Sequence, residues 1–398
     1  MKQYLAALAA LFFVFGCTQL EVESETTSSD MLDIKRGPTS PDAEKPTIGV
    51  LLTSHGDINT FEEIEPYIRS AFLKNVGVPL PRFIREIIED PAYWIARDGI
   101  EEQYDIIGPT RYRENAILQA ETIRQALETK GVNTTVYVGY NFMPPFIEDA
   151  VAEAQADGIK ELVVFNKGAQ FSLATLGESI EEIDHYMKTD AAAGWEIDMV
   201  AVRQFSSDER FRQLFADVLA RDAEIYFPGV DPADVCLFVA SHGLPHRLIN
   251  MGDPAVDQML EVVEDLKERL PEYPIYHGFL NDDFFPGATW VEPASDETAW
   301  DIRSDSCPAV LMDGRLSFTT HHRATLFDLD VDARDIIENT PDLQGNGEPH
   351  PLYRPLKAVL APNWDDDPGF AELMADLTIE ALQGDGDLIE LYGRTTED

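Results

Sequence analysis

Asp234-Val235-Cys236-Leu237-Phe238-Val239-Ala240 runs without a break into Ser241-His242-Gly243-Leu244-Pro245-His246-Arg247. The apolar stretch is short and is closed by a turn containing Gly and Pro, the pattern of a strand covered on both faces in a parallel sheet. An earlier stretch repeats the arrangement: Thr47-Ile48-Gly49-Val50-Leu51-Leu52-Thr53 passes into Ser54-His55-Gly56-Asp57. Two units of strand followed by Ser-His-Gly suggest two similar halves.

Strands and helices alternate around these units. Thr134 to Tyr140 and Glu161 to Asn166 read as short buried strands on either side of a helix over Pro145 to Ala156. In the second half the pattern predicts a helix over Pro254 to Leu270, a strand near Tyr276 and another over Ala309 to Met312. Such alternation predicts an α/β protein of two doubly wound lobes with parallel sheets, at residues 47–225 and 226–398. Ligands of open parallel sheets bind beyond the carboxyl ends of the strands, so His55 and His242 are expected at one cleft.

At 398 residues, 44% of them hydrophobic, the chain can build two cores. Its 73 acidic against 30 basic residues leave a formal charge of −43 and a pI near 4.3. A field of that sign repels nucleic acid and anionic lipid, so partners of that kind are excluded and cations are favoured; most of the excess is expected on a solvated surface. Cys17, Cys236 and Cys307 include no C-x-x-C pair. No disulfide framework, thiolate zinc site or iron–sulfur cluster is therefore expected.

Cys17 stands apart. Met1-Lys2-Gln3 precedes an apolar run from Tyr4 to Phe15, too short to cross a bilayer but of signal-peptide length. Val14-Phe15-Gly16-Cys17 resembles a bacterial lipobox, which implies cleavage before Cys17, lipidation of its thiol and export. The alternative, an uncleaved N-terminal anchor with an incidental cysteine, also places the body outside the cytoplasm. Residues 1–17 are thus read as a lipoprotein signal peptide and the polar segment 18–46 as a flexible tether, with a lipid anchor as the only membrane contact.

The string from Ser241 to Arg247, followed by Gly252-Asp253-Pro254 and Gln258, resembles the signature of the ferrochelatases. Tyr104-Asp105-Ile106-Ile107-Gly108, Val138-Gly139-Tyr140, Gln170-Phe171-Ser172, Trp290-Val291-Glu292-Pro293 and Asp366-Asp367-Pro368-Gly369-Phe370 resemble other segments of that family, in the same order, from about Thr47 to Gln383. The resemblance implies flavodoxin-like lobes facing a porphyrin-sized cleft. It also implies Fe2+ as substrate metal, a porphyrin such as protoporphyrin or coproporphyrin as partner, and no organic cofactor. His242 corresponds to the family's metal-site histidine, assigned to metal binding or to accepting pyrrole protons. Metallation replaces two N–H protons by a divalent ion, which calls for a base of near-neutral pKa and a ligand that suits Fe2+.

Three departures bear on activity. Where the family carries a metal-site glutamate, this chain has His321-His322-Arg323-Ala324-Thr325-Leu326, with Ala324 at the glutamate's place. His321 or His322 could supply a ligand, but neighbours on one helix point about a quarter-turn apart, so at most one should face His242. Ser54-His55-Gly56-Asp57 replaces the family's Gly-Thr-Pro turn and looks more like the histidine turn of the smaller class II chelatases, so His55 could pair with His242 around a metal. Pro109-Thr110-Arg111-Tyr112-Arg113 replaces a Ser-Pro segment; Arg111 and Arg113 could meet porphyrin propionates or form ion pairs with Glu114 or Asp105. Phe171 and Ser172 are further candidates for porphyrin contact, and Asn281-Asp282-Asp283 resembles a cluster of hard oxygen ligands. The resemblance implies insertion of Fe2+ into a porphyrin; the rival reading is a non-catalytic lipoprotein that binds haem, porphyrin or metal outside the cytoplasm.

Overall fold

The computed structural model describes residues 45–75, 80–281, 289–305, 307–339 and 357–393. The signal-like segment with Cys17, the tether to residue 44, and Asp282 and Asp283 lie outside the described residues.

Strand β1 (Ile48–Ser54) leads through helices α1 (Ile64–Lys74), α2 (Arg82–Ile107) and α3 (Tyr112–Thr129) to β2 (Thr134–Tyr140). Helix α4 (Ile147–Asp157), β3 (Glu161–Asn166), α5 (Glu178–Met187) and β4 (Asp198–Val202) complete the first series, and α6 (Glu209–Tyr226) crosses to the second. There β5 (Val235–His242), α7 (His246–Asn250), α8 (Ala255–Arg269), β6 (Ile275–Leu280), α9 (Ser295–Asp305) and β7 (Ala309–Asp313) follow. The second series closes with α10 (Arg334–Asn339) and β8 (Lys357–Leu360); the chain then forms α11 (Pro368–Gln383) and β9 (Leu388–Tyr392). The expected strands and helices are all present within a residue or two, because buried parallel strands read as continuous apolar runs: six of seven residues of β1 and seven of eight of β5 are buried.

The two sheets have matching topology. The first runs β2-β1-β3-β4-β9 and the second β6-β5-β7-β8, so each half has the doubly wound order second, first, third, fourth. All pairings among β1 to β4 and among β5 to β8 are parallel. In both halves the connections reverse direction at the first strand, which is where a ligand crevice opens. His55 follows β1 and His242 ends β5, so the repeated Ser-His-Gly turns occupy equivalent switch points.

The chain end departs from the expected division. Residues 368–392 were expected in a C-terminal lobe of 226–398, yet β9 pairs antiparallel with β4 of the first sheet. Helix α11 returns with it: Asp367 caps its start by accepting from Gly369 N and Phe370 N. Its Phe370, Leu373, Met374 and Leu377 join the apolar cluster that holds Val163 and Phe165 of β3. The same cluster includes Leu237, Val239 and Leu311 of the second sheet, so the halves share a core.

Two further links hold the second sheet. Arg315, just past β7, lies between Asp222 of α6 (Nη1 to Oδ2, 2.8 Å) and Asp313 of β7 (Nη2 to Oδ2, 2.5 Å), with all three side chains at most 3% exposed. The expectation of no disulfide is corrected: Cys236 of β5 and Cys307 are bonded, with Cα atoms 5.9 Å apart and a sequence separation of 71. A pair that far apart leaves no spacing motif, and only the pairing of β5 with β7 brings the two thiols together.

Candidate active site

The site is built from three backbone turns. After β1, His55 stacks on Phe142 at 4.6 Å between ring centroids, and its Nε2 lies 2.5 Å from Ala174 O. Gly56 has φ of 85°, and a Cβ there would meet the Tyr140 side chain at 3.0 Å, so the turn requires glycine. Asp57 is buried; its Oδ1 accepts from Ile58 N at 2.8 Å and from the Tyr104 hydroxyl, and its Oδ2 accepts from Arg323 N at 2.9 Å. Burial raises its pKa, and these hydrogen bonds oppose the rise. The first turn is thereby tied to the segment that follows His322.

The second turn follows β5. His242 lies edge-on to Phe318 at 5.7 Å, and its Nδ1 is buried without a hydrogen-bond partner. Gly243 N donates to Leu280 O at 2.8 Å, and a Cβ at Gly243 would fall 1.8 Å from Asn281 Oδ1, so a larger residue there would displace the Asn281 side chain. The third turn follows β7, where Phe318 meets the His322 ring at 4.1 Å and Tyr112 of α3 lies 6.4 Å from the same ring. Thr325 Oγ1 accepts from His322 N at 2.9 Å, at the head of a π-helical segment, Ala324–Ala333. Such segments are uncommon and often mark functional sites.

Charge couples the three histidines. Burial lowers the His242 pKa to about 3, with His55 and Arg323 adding to the effect. His322 is held well below the usual range by burial, then by His242, Arg323, His321 and His55. Both imidazoles are neutral near pH 7 and suit a divalent metal as ligands, but burial takes them away from the near-neutral pKa expected of a proton acceptor. Of the adjacent pair left undecided by sequence, His322 faces this group. His321 turns to Ala361 O at 3.1 Å and Thr325 Oγ1 at 3.2 Å. Ala324 is buried in an apolar cluster with Phe238, Leu280 and Met312. Among the described residues no three His, Cys, Asp or Glu side chains form a metal cluster by themselves.

The remaining candidates sit around this centre. Arg111 pairs with Glu114 at 2.6 Å and Arg113 with Glu63 at 2.5 Å, on either side of Tyr112. Phe171 lies under the Arg203 guanidinium at 5.2 Å, and its N donates to Gln258 Oε1 at 2.9 Å. Ser172 is buried, and both its Oγ and Leu173 N donate to Asp253 Oδ2 at 2.7 Å. Phe171 and Ser172 thus join the halves, with Ser172 committed to Asp253 instead of facing the cleft.

Sequence reasoning missed Lys167. It follows β3, is buried, and its Nζ donates to Gln119 Oε1 and, at 2.9 Å, to Thr320 Oγ1. A lysine directly after a buried strand was the available signal. Burial lowers its pKa from 10.5 to about 7, partly opposed by Asp365. The unfolded chain therefore holds this proton more tightly between pH 7 and 10.5, and stability should rise with pH across that window. The slope is up to about 1.4 kcal/mol per pH unit. In urea unfolding at pH 7, 8 and 9, Lys167→Met should remove this component of the slope; identical slopes in the two proteins would refute the assignment.

Matching parallel sheets with a histidine turn at each switch point define a two-lobed α/β protein. The ferrochelatase family model matches residues 47–382, and the chain belongs to the ferrochelatase family. It is 28% identical over 301 residues to ferrochelatase-1, chloroplastic/mitochondrial, of Arabidopsis thaliana, covering 73% of this chain and 62% of that one. Identity is 25% over 349 residues with the ferrochelatase of Prochlorococcus marinus (85% and 83% covered) and 24% over 353 residues with the mitochondrial ferrochelatase of Gallus gallus (86% and 82% covered). The match spans 57% of ferrochelatase-2 of Cucumis sativus, less than two thirds of that plant relative's length. Among solved structures, SirB from Bacillus subtilis aligns with a TM-score of 0.48 at 13% identity, covering 86% of this chain and 99% of that one.

Proposed function

We propose that the protein inserts a divalent metal, with Fe2+ as the physiological substrate, into a porphyrin held in the crevice between β1, β5 and the turn after β7. The observation that carries this reading is His242: a neutral imidazole whose buried Nδ1 has no hydrogen-bond partner, beside two further histidines. Burying an unpartnered polar atom costs stability, which is consistent with an atom that waits for a ligand. Two pyrrole protons leave as the dication enters, so charge balances within the macrocycle. Held neutral by burial, His242 presents the metal, the pyrrole protons pass to water, and His55 and His322 supply lone pairs from the other turns. Phe318, only partly buried, offers an apolar face to the ring, while Arg111 and Arg113, paired with Glu114 and Glu63, would have to leave those partners to meet propionates.

Export with a lipid anchor at Cys17 forms part of the proposal. It is supported by the apolar run from Tyr4 to Phe15 and by the Cys236–Cys307 bond, since disulfides persist in oxidising compartments. The buried apolar setting of Ala324 favours a second reading, a binding lipoprotein without turnover. One assay separates the two. Protein supplied with Fe2+ or Zn2+ and either protoporphyrin or coproporphyrin should show the absorbance change of metallation; tight porphyrin or haem binding without turnover would establish the second reading instead.

A further inference from the structure

Glu178 opens α5, directly after the π-helical turn Leu173–Gly177. Acidic residues are common in first helical turns, where they meet the positive end of the helix dipole and are ordinarily solvated. This one is turned inward and is 5% exposed. Its Oε2 lies 3.6 Å from His55 Nε2 and accepts from Asn141 Nδ2 at 3.4 Å. Burial of a carboxylate is costly unless charge and hydrogen bonds offset it, so its placement beside an imidazole calls for a physical role.

The His55 ring supplies that role. Its Nε2 sits 2.5 Å from Ala174 O, a group that can only accept, so Nε2 carries the ring proton and donates it. The lone pair of the neutral ring then belongs to Nδ1. The Glu178 carboxylate behind the same N–H favours that tautomer and increases the electron density available at Nδ1, as partners behind metal-ligating histidines do. Phe142 stacked at 4.6 Å fixes the ring plane.

We propose that Glu178 is a positioning residue that makes His55 a ligand for the divalent metal on the first-lobe wall, through the ring proton it shares with Ala174 O. The inference deepens the chelatase reading and rests on it. The carboxylate acts through a histidine and not on the metal itself.

Co2+ binding to the full chain without porphyrin, followed by visible absorbance, provides the test. Glu178→Gln keeps the side-chain volume and removes the charge, and should weaken Co2+ binding 10- to 100-fold. His55→Ala should weaken it at least as much, and adding Glu178→Gln to His55→Ala should change it less than two-fold, because Glu178 acts only through His55. Thermal unfolding of each variant controls for folding, and Glu178→Asp should recover part of the affinity. Equal affinity of Glu178→Gln and wild type, or an undiminished loss in the His55→Ala background, would overturn the inference. A wild-type chain that bound no Co2+ would also overturn it, and porphyrin metallation measured on the same sample would then show whether the chelatase reading falls with it.

Discussion

Replacing His242 with alanine should reduce porphyrin metallation at least about 100-fold, the usual contribution of a positioned acid–base or ligand side chain. On the proposed function the loss should appear in kcat, since the substitution leaves the remainder of the site in place. A second readout is independent of turnover. The folded-state pKa of His242 is lowered to about 3 from an ordinary 6.5. The unfolded chain therefore takes up this proton first on acidification, and the stability associated with a neutral His242 is lost as pH falls below 6.5. The penalty approaches about 1.4 kcal/mol per pH unit. His242→Ala should lose correspondingly less stability between pH 6.5 and 5 in urea unfolding. Unchanged turnover would sink the site assignment, and an unchanged acid sensitivity would show that the imidazole is not held neutral as described. Any acid limb of the activity profile between pH 5 and 8 must arise from another group, because His242 is already deprotonated throughout.

Asp222→Ala should destabilise the fold by about 3–5 kcal/mol. Asp222 and Asp313 lie on opposite sides of Arg315, and the guanidinium also lies over Trp364 at 5.4 Å. Removing one carboxylate leaves a buried cation half-compensated, and the loss comes mainly from that charge, not from the deleted contact. Adding Arg315→Met should not restore the stability, because Asp313, 0% exposed, would then be the uncompensated buried charge; recovery requires Asp313→Asn as well. A single-variant loss below about 1 kcal/mol in denaturant unfolding would show the triad to be solvated.

The fold was legible where its signal is local. The runs at Thr134–Tyr140 and Glu161–Asn166 carry their own period and ends, and β2 and β3 form over those residues. The repeated Ser-His-Gly announced equivalent turns, and the equal strand orders of the two sheets explain the repetition. The destination of β9 was not legible. An apolar strand shows that it must pair, but not with which edge, and the choice depends on α11 covering the first sheet.

The site divides in the same way. His242 stood out in its motif, whereas His321 and His322 are chemically equivalent in sequence, and only the backbone after β7 decides which ring meets Phe318. Glu178 was invisible among 73 acidic residues, and Lys167 and the Cys236–Cys307 bond were equally hidden. By itself the sequence determined the element types, the repeated strand-and-turn units and the family, because hydrophobic period and short motifs are properties of neighbouring residues. The tertiary structure decided which buried charges meet, which histidines share a field, and where the chain end returns. Those outcomes depend on desolvation and on contacts between residues far apart in the chain, and neither is encoded in any local pattern.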